Sequence, residues 1–439
     1  MQKKRYALCG LSNRAVFHFA MPLSGKNHKG GTNFNGQSEL VSILDVDETR
    51  VKRFLEQTGI SSAYYNAKQF DRMVTETHPD VILVATPDYS HCEYIVRGLE
   101  KKCDVIVEKP MVINCRQIRE VQAAEKKSGR QIRVAFNYRY TPTHKKLKRL
   151  ILEGKLGKII NVEFVYNLDT FHGASYFYRW NRERSKSGGL NIHKCCHHFD
   201  LVNWFLDDMP ETVFAFGALN YYGPHGALRP RDKKGRPLDP IEERKRCPYF
   251  QKHYAGKIDP DEDSPSTGWD IFKLGYHVQY PHGKKRYIYD DAIDIEDTYS
   301  ANVKYSKGTL LNYSCNFSTP WEGYILAMNG TRGRIELSHH SNPDPTGLTA
   351  PAEEKSVITF FPLFGGKEEI VIPPVKGGHG GADFVIQNDL FGAPSRESRE
   401  LQLTAGSEDG LRSVALGEAV MRSIKTRRPI DIRKLLAGR

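Results

Sequence analysis

The chain of 439 residues lacks any run approaching ~20 consecutive apolar residues, so no membrane-spanning helix is expected. Its first ten residues run directly into an apolar strand and lack a signal-peptide hydrophobic region. The eight cysteines, at 9, 92, 103, 115, 195, 196, 247 and 315, form no CxxC and no paired framework. That argues against a disulfide scaffold and for small buried thiols in a reducing compartment, which predicts the cytoplasm. Basic helices and nucleic-acid motifs are also missing. The net charge of +12 comes from scattered Lys and Arg, which reads as solvated surface with some attraction for anionic ligands, not as a nucleic-acid face. Internal repeats and long biased tracts are absent. Hydrophobic residues at 39% and aromatic residues at 11% suffice for packed cores, and the length suits two domains.

Strands and helices alternate in the first third. Strands are predicted over 6–9, 40–44, 81–85, 104–107 and 132–136, with helices over 49–58, 90–101 and 114–127. This pattern implies βαβ units and a parallel sheet. Each strand stops at a polar or turn residue, and ligands of open parallel sheets bind at the carboxyl ends of strands. The pattern changes near residue 139. A helix over 141–153, a strand over 159–166 and an aromatic, basic loop over 169–187 lead into a helix at 187–206. Strands near 298–305, 309–317, 324–329 and 333–337 read as a largely antiparallel sheet. Residues 222–240, 255–268 and 338–356 look like surface excursions. The predicted division is 1–138 for a dinucleotide-binding domain and 139–439 for an α/β domain, with the final helix, 407–425, a candidate to pack back on the first.

Gly10-Leu11-Ser12-Asn13-Arg14-Ala15 follows the first strand. A glycine there lets backbone N–H groups approach a pyrophosphate, and the helix that follows favours its charge. Ser12 and Ala15 stand where the strict pattern has glycines. Asp45 ends the second strand and is a candidate acceptor for ribose hydroxyls; a carboxylate there favours NAD over NADP. Asp47 competes for that role.

Residues 187–206 are the most informative stretch. Read as one helix, they place Cys195, Phe199, Val202 and Leu206 on an apolar stripe. His193, His197, Asp200 and Trp204 fall on the opposite one, where proton-transfer chemistry is expected. Histidines at i and i+4 also fit a zinc site, with Asp200 or His172 as third ligand; no metal is the expected outcome. Tyr176, Tyr178, Arg179, Trp180 and Arg182 lie just upstream. Aromatic rings stack on the apolar faces of sugars and arginines bind hydroxyls or carboxylates, although a subunit contact fits the same loop.

Glu108-Lys109-Pro110, downstream of Ala85-Thr86-Pro87 and His91, resembles the Gfo/Idh/MocA family of sugar-type oxidoreductases. The resemblance continues through Phe136-Asn137-Tyr138-Arg139, the glycine pair before a His-x-x-Asp helix, Gly330-Thr331-Arg332-Gly333-Arg334-Ile335 and Asp409-Gly410-Leu411. It implies an N-terminal Rossmann domain and a C-terminal α/β domain with a large, mostly antiparallel open sheet that commonly supports dimers or tetramers. It also implies NAD as cofactor and a carbohydrate substrate. Lys109 then stands at the junction of nicotinamide and substrate, where an ammonium stabilises developing alkoxide charge, and Pro110 is a candidate for a cis bond. The cofactor set implied is Gly10, Ser12, Asn13, Arg14, Asp45, Thr86, Pro87, His91, Glu108, Lys109 and Asn137. The substrate set is Tyr138, Arg139, Tyr176, Arg179 and Trp180, with His379 and Asp383 from a glycine-rich loop.

The family pattern Asp-x-Gly-x-His-x-x-Asp is altered here, with His193 and Cys195 in place of the first Asp and the Gly. His197 is the leading base, and His193 or Lys194 the auxiliary group. The expected reaction is oxidation of a secondary alcohol of a sugar, glycoside or cyclitol, with a 3-keto product. The alternatives are a redox-assisted glycosidase or epimerase that recycles bound NAD, and a non-catalytic sugar or NAD sensor.

Overall fold

The computed structural model describes residues 2–27, 31–238, 240–247, 251, 287–341, 356–375 and 380–438. The expected excursion at 255–268, residues 342–355 of that at 338–356, and His379 lie outside them.

The first sheet is built from β1 (Lys4–Cys9), β2 (Ser38–Asp45), β3 (Ala63–Asn66), β4 (Val81–Val84), β5 (Asp104–Val107) and β6 (Ile132–Val134), in the order β3-β2-β1-β4-β5-β6 and all parallel. Its central strands are continuous apolar runs because helices cover both faces; every residue of β4 is buried. Those helices are punctuated locally. Asp47 and Asn114 cap Glu48–Thr58 and Cys115–Ser128 through the amides of Arg50 and Gln117, and Gly59 and Gly129 end them in the left-handed conformation. Strand order reverses between β1 and β4, which opens the crevice at their carboxyl ends.

The second sheet holds β7 (Ile159–Asp169), β8 (Pro210–Ala218), β9 (Thr298–Tyr305), β10 (Leu310–Thr319), β11 (Glu322–Gly330), β12 (Gly333–Ser341), β13 (Ser356–Pro362) and β14 (Glu368–Ile372). The order is β14-β13-β12-β11-β7-β10-β9-β8, and only β7 and β10 pair in parallel. Alternation is plain in β10, where Leu311, Tyr313, Cys315 and Phe317 are buried and Leu310 and Asn312 face out. β15 (Ala405–Gly406) adds antiparallel to β6, and β16 (Ile430–Asp431) extends the second sheet beyond β8. Between them the helix Ser407–Thr426 crosses from one sheet to the other, and its Glu418 carboxylate accepts the Cys115 amide at the start of a first-sheet helix. Among the described residues no helix is long and apolar enough to cross a membrane.

Three expectations need correction. β3 and the helix Phe70–Thr77 were not foreseen. Residues 169–187 are not a loop: the helix Thr170–Tyr178, a 3-10 turn and the short helix Arg184–Ser187 fill most of the span. The single helix over 187–206 is two, Leu190–His193 and Cys196–Leu206, broken at Lys194-Cys195.

Candidate active site

Gly10 leaves β1 with φ +88°, and a Cβ there would lie 2.8 Å from the Ala85 carbonyl oxygen, so only glycine fits the turn. Ser12 Oγ accepts from the Ala15 amide at 3.1 Å and starts the helical stretch that follows. Asp45 accepts the Leu11 amide at 2.6 Å and the Asp47 amide at 2.9 Å, which pins its carboxylate against the glycine turn. Asp47 serves as a helix cap instead. Arg14 lies between two carboxylates, 3.0 Å from Glu108 and 3.1 Å from Asp383. Those charges more than offset its burial and push its pKa up.

Asp383, expected at the substrate, is thus beside the nucleotide loop, where it also accepts from Asn137 Nδ2 at 2.7 Å. His91 is fully enclosed behind the loops. Its ring bridges the carbonyl oxygens of Thr86 and Pro110, 2.8 Å from each, and so braces the ends of β4 and β5. The Oδ1 atoms of Asn13 and Asn137 are buried without a hydrogen bond. Together with the glycine cradle, these orphan acceptors fit a dinucleotide.

The Lys109–Pro110 bond is cis. Lys109 Nζ donates to the His193 carbonyl at 3.3 Å. The His193 ring lies between Asp88 Oδ2, 2.5 Å from Nδ1, and Asn181 Nδ2, 2.9 Å from Nε2. A carboxylate only accepts and an amide nitrogen only donates. Nδ1 therefore carries the proton and Nε2 the lone pair. Burial, aided by the nearby Lys109 ammonium, outweighs Asp88 and holds the ring below its ordinary pKa, so it is neutral near pH 7. Tyr176 and Trp180 meet it edge-on, with ring centroids at 5.6 and 5.5 Å.

The break at Lys194-Cys195 separates what a continuous helix would align. His197 stacks on Tyr138, centroids 4.2 Å apart, and the Lys109 ammonium donates to the backbone carbonyl of His193. Lys194 Nζ donates to Tyr138 Oη at 3.2 Å. Burial opposes its charge, but the surrounding phenols and Glu322 keep it an ammonium. Trp204 Nε1 donates to the Leu401 carbonyl at 2.8 Å. Asp200 turns away to Arg139, 2.6 and 2.9 Å from the guanidinium. Arg139, expected to bind substrate, is buried and also holds Asp409 at 2.8 Å. Arg179 is exposed.

Among the described residues neither His193 nor His197 belongs to a group of three side chains close enough for a metal ion. The one such group, Cys195, His198 and Cys315, is fully buried, and burial holds the Cys195 thiol well above the range in which it ionises. Sequence reasoning missed Asp88, Asn181 and Glu322. Asp88 had a signal, since it lies in the turn that ends β4. Glu322 had none, because its partner His172 is 150 residues away.

Comparison with known proteins agrees with this architecture. Residues 4–136 match the family model described as "Oxidoreductase family, NAD-binding Rossmann fold", and residues 148–432 match "Oxidoreductase family, C-terminal alpha/beta domain". The chain is 40% identical over 439 residues to "Putative oxidoreductase YteT" of Bacillus subtilis, covering 98% of each. It is 27% identical over 180 residues to myo-inositol 2-dehydrogenase of Thermotoga maritima, 41% of this chain and 51% of that one. A levoglucosan dehydrogenase solved with NADH and levoglucosan superposes with a TM-score of 0.64 at 16% identity, covering 98% of this chain and all (100%) of that one. The parallel nucleotide-binding sheet, the mostly antiparallel second sheet and both family matches lead to one assignment: the chain belongs to the Gfo/Idh/MocA oxidoreductase family.

Proposed function

We propose that this protein is an NAD-dependent dehydrogenase that oxidises a secondary alcohol of a sugar, glycoside or cyclitol, with a 3-keto sugar as the preferred product. The bound nicotinamide supplies the hydride acceptor. One observation carries the reading: the Asp88–His193 pair lies beside the Lys109 ammonium at the crevice end of β4 and β5. Asp88 fixes the tautomer that keeps the lone pair on His193 Nε2. A substrate hydroxyl that displaces the Asn181 amide donates its proton there. The ammonium of Lys109 faces the developing alkoxide. In this reading His193 takes the role of base that the sequence offered first to His197, because Asp88 fixes its tautomer; His197 stacks on Tyr138. The test follows absorbance at the NADH band while monosaccharides, glycosides and cyclitols are offered with NAD and with NADP. Failure of every alcohol to reduce either cofactor refutes the reading.

Asp45 selects the cofactor. Its buried carboxylate repels a 2′-phosphate, and like-charge contacts of this kind cost several kcal/mol. Asp45→Ser is expected to lower the preference for NAD over NADP by about 10²-fold in kcat/KM; an unchanged ratio from parallel titrations with the two cofactors contradicts it.

Assembly follows from the uncovered side of the second sheet. Phe216, Leu310, Ile325 and Val371 are each about half exposed or more on β8, β10, β11 and β14, an apolar face that suits a homodimer or homotetramer. Light scattering should report a multiple of 50.0 kDa for the native chain and the monomer mass for Ile325→Lys. A native monomer rules this out. No disulfide joins the eight cysteines, which supports the cytoplasm as the compartment.

A further inference from the structure

A carboxylate from the C-terminal half of the chain reaches into the nucleotide cradle. Asp383 lies in the first turn of the helix Ala382–Phe391 and is buried. Its Oδ1 atom takes two donors of that cradle, Asn137 Nδ2 at 2.7 Å and Arg14 Nη2 at 3.1 Å. The other nitrogens of Arg14 are engaged as well. Nε donates to Glu108 Oε1 at 3.0 Å, and Nη1 lies 2.8 Å from His18 Nε2. A guanidinium only donates, so the His18 ring accepts there and adds no positive charge. One cation thus answers two carboxylates, and the cluster is net negative.

That balance opposes what a dinucleotide brings. Its pyrophosphate is doubly anionic and is expected against the Gly10 turn, four residues before Arg14. Glu108 alone balances the guanidinium. Asp383 is the surplus charge, and it occupies donors that an anion arriving at the cradle needs. We propose that Asp383 competes with the cofactor's pyrophosphate for Arg14 and so keeps NADH exchangeable, released after each hydride transfer and not retained for a second one. The proposal rests on the dehydrogenase reading of the same site. Asp383 acts through Arg14 as a positioning residue and contacts neither the alcohol nor the reacting atoms.

The test is binding to the full chain, by fluorescence titration for NADH and by calorimetry for ADP-ribose, which carries the pyrophosphate but no nicotinamide. Asp383→Asn keeps the shape and the Oδ1 acceptor and removes the charge. It should tighten both ligands by about 10-fold, the scale of one like charge at short range near a protein surface. NADH release in stopped flow should slow by a similar factor, and Asp383→Ser should act in the same direction. Arg14→Met should weaken both ligands by about 10-fold, the loss of a charged hydrogen-bond donor. Gln387→Ala removes a different contact of the same helix, the one with Asn27 Nδ2 at 3.0 Å, and should leave both affinities unchanged. Melting curves establish that each variant is folded. Unchanged or weaker binding in the Asp383 variants overturns the proposal, and so does native affinity in Arg14→Met. An equal gain in Gln387→Ala makes looser packing the cause and overturns it too. A native chain that still carries NADH after gel filtration retains its cofactor, which contradicts the proposal and leaves the dehydrogenase reading standing. A native chain that binds neither NADH nor ADP-ribose refutes that reading itself, and the role of Asp383 with it.

Discussion

Lys109→Met is expected to lower kcat/KM for NAD-dependent alcohol oxidation by about 10³-fold, the scale of losing one preorganised charge-stabilising donor. The side chain leaves the end of β5 at the Lys109–Pro110 bond and donates to the His193 carbonyl. His91 braces that bond from behind by contacting the Pro110 carbonyl. The ammonium is thus placed before substrate arrives, and preorganisation of this kind gives a donor its value in a water-poor site. Methionine keeps the length and apolar stem but removes charge and donor together. NAD affinity should change little, because the contacts assigned to the dinucleotide lie at Gly10, Asn13, Asp45 and Asn137. Lys109→Arg should recover part of the rate, since it restores charge on a wider, planar head. Steady-state rates with fluorescence titration of NADH separate the effects. A variant that retains native turnover, or one that fails only through lost NADH binding, refutes the role given to Lys109.

The parallel half of the molecule was legible because its physics is local. β4 and β5 are apolar runs ended by Thr86-Pro87 and Glu108-Lys109-Pro110, and burial on both faces demands that pattern. β3 escaped notice because Ala63–Asn66 is short, lies at the sheet edge and is mostly not buried, so it carries no such run. β13 and β14 follow an expected excursion that obscures their start. The break at Lys194-Cys195 had no local marker at all, neither glycine nor proline. Partners distant in sequence impose it: Asp88 takes the His193 ring and Tyr138 takes the Lys194 ammonium, 105 and 56 residues away. A helical-stripe argument assumes that the backbone stays helical, and here tertiary hydrogen bonds win over propensity. The identity of the chemical groups was readable from sequence; that Asp88 would hold the His193 ring, 105 residues away, was not.

Arg139 shows this limit most strongly, and its replacement should have the largest effect on stability. The residue follows Asn137-Tyr138 and reads from sequence as a substrate ligand. Instead its guanidinium is enclosed with Asp200, which it contacts through two nitrogens, and with Asp409 of the final helix. The Trp204 ring lies 5.7 Å away. Three elements that meet between the sheets are tied together by one cation. Removing one partner of a buried ion pair costs about 3–5 kcal/mol, because a charge is left without compensation, and Arg139→Met strands two carboxylates at once.

The sign of the pH dependence follows from Asp200. Burial pushes its carboxyl up, to about 6, even against the pull of Arg139. A group whose folded pKa lies above its unfolded one binds its proton more tightly when folded. Its contribution is fully present below the unfolded value, near ~3.9, and is lost as pH rises through the folded value. Without the guanidinium the folded value climbs further, and Asp200 of the variant stays protonated over a wider range. The deficit in melting temperature relative to the native chain should therefore be largest near pH 8 and shrink toward pH 5. Melts of both proteins at several pH values, followed by circular dichroism, measure that difference. A deficit that is constant or grows on acidification means that the cost of losing Arg139 is lost packing against Trp204 and not the stranded charge of Asp200.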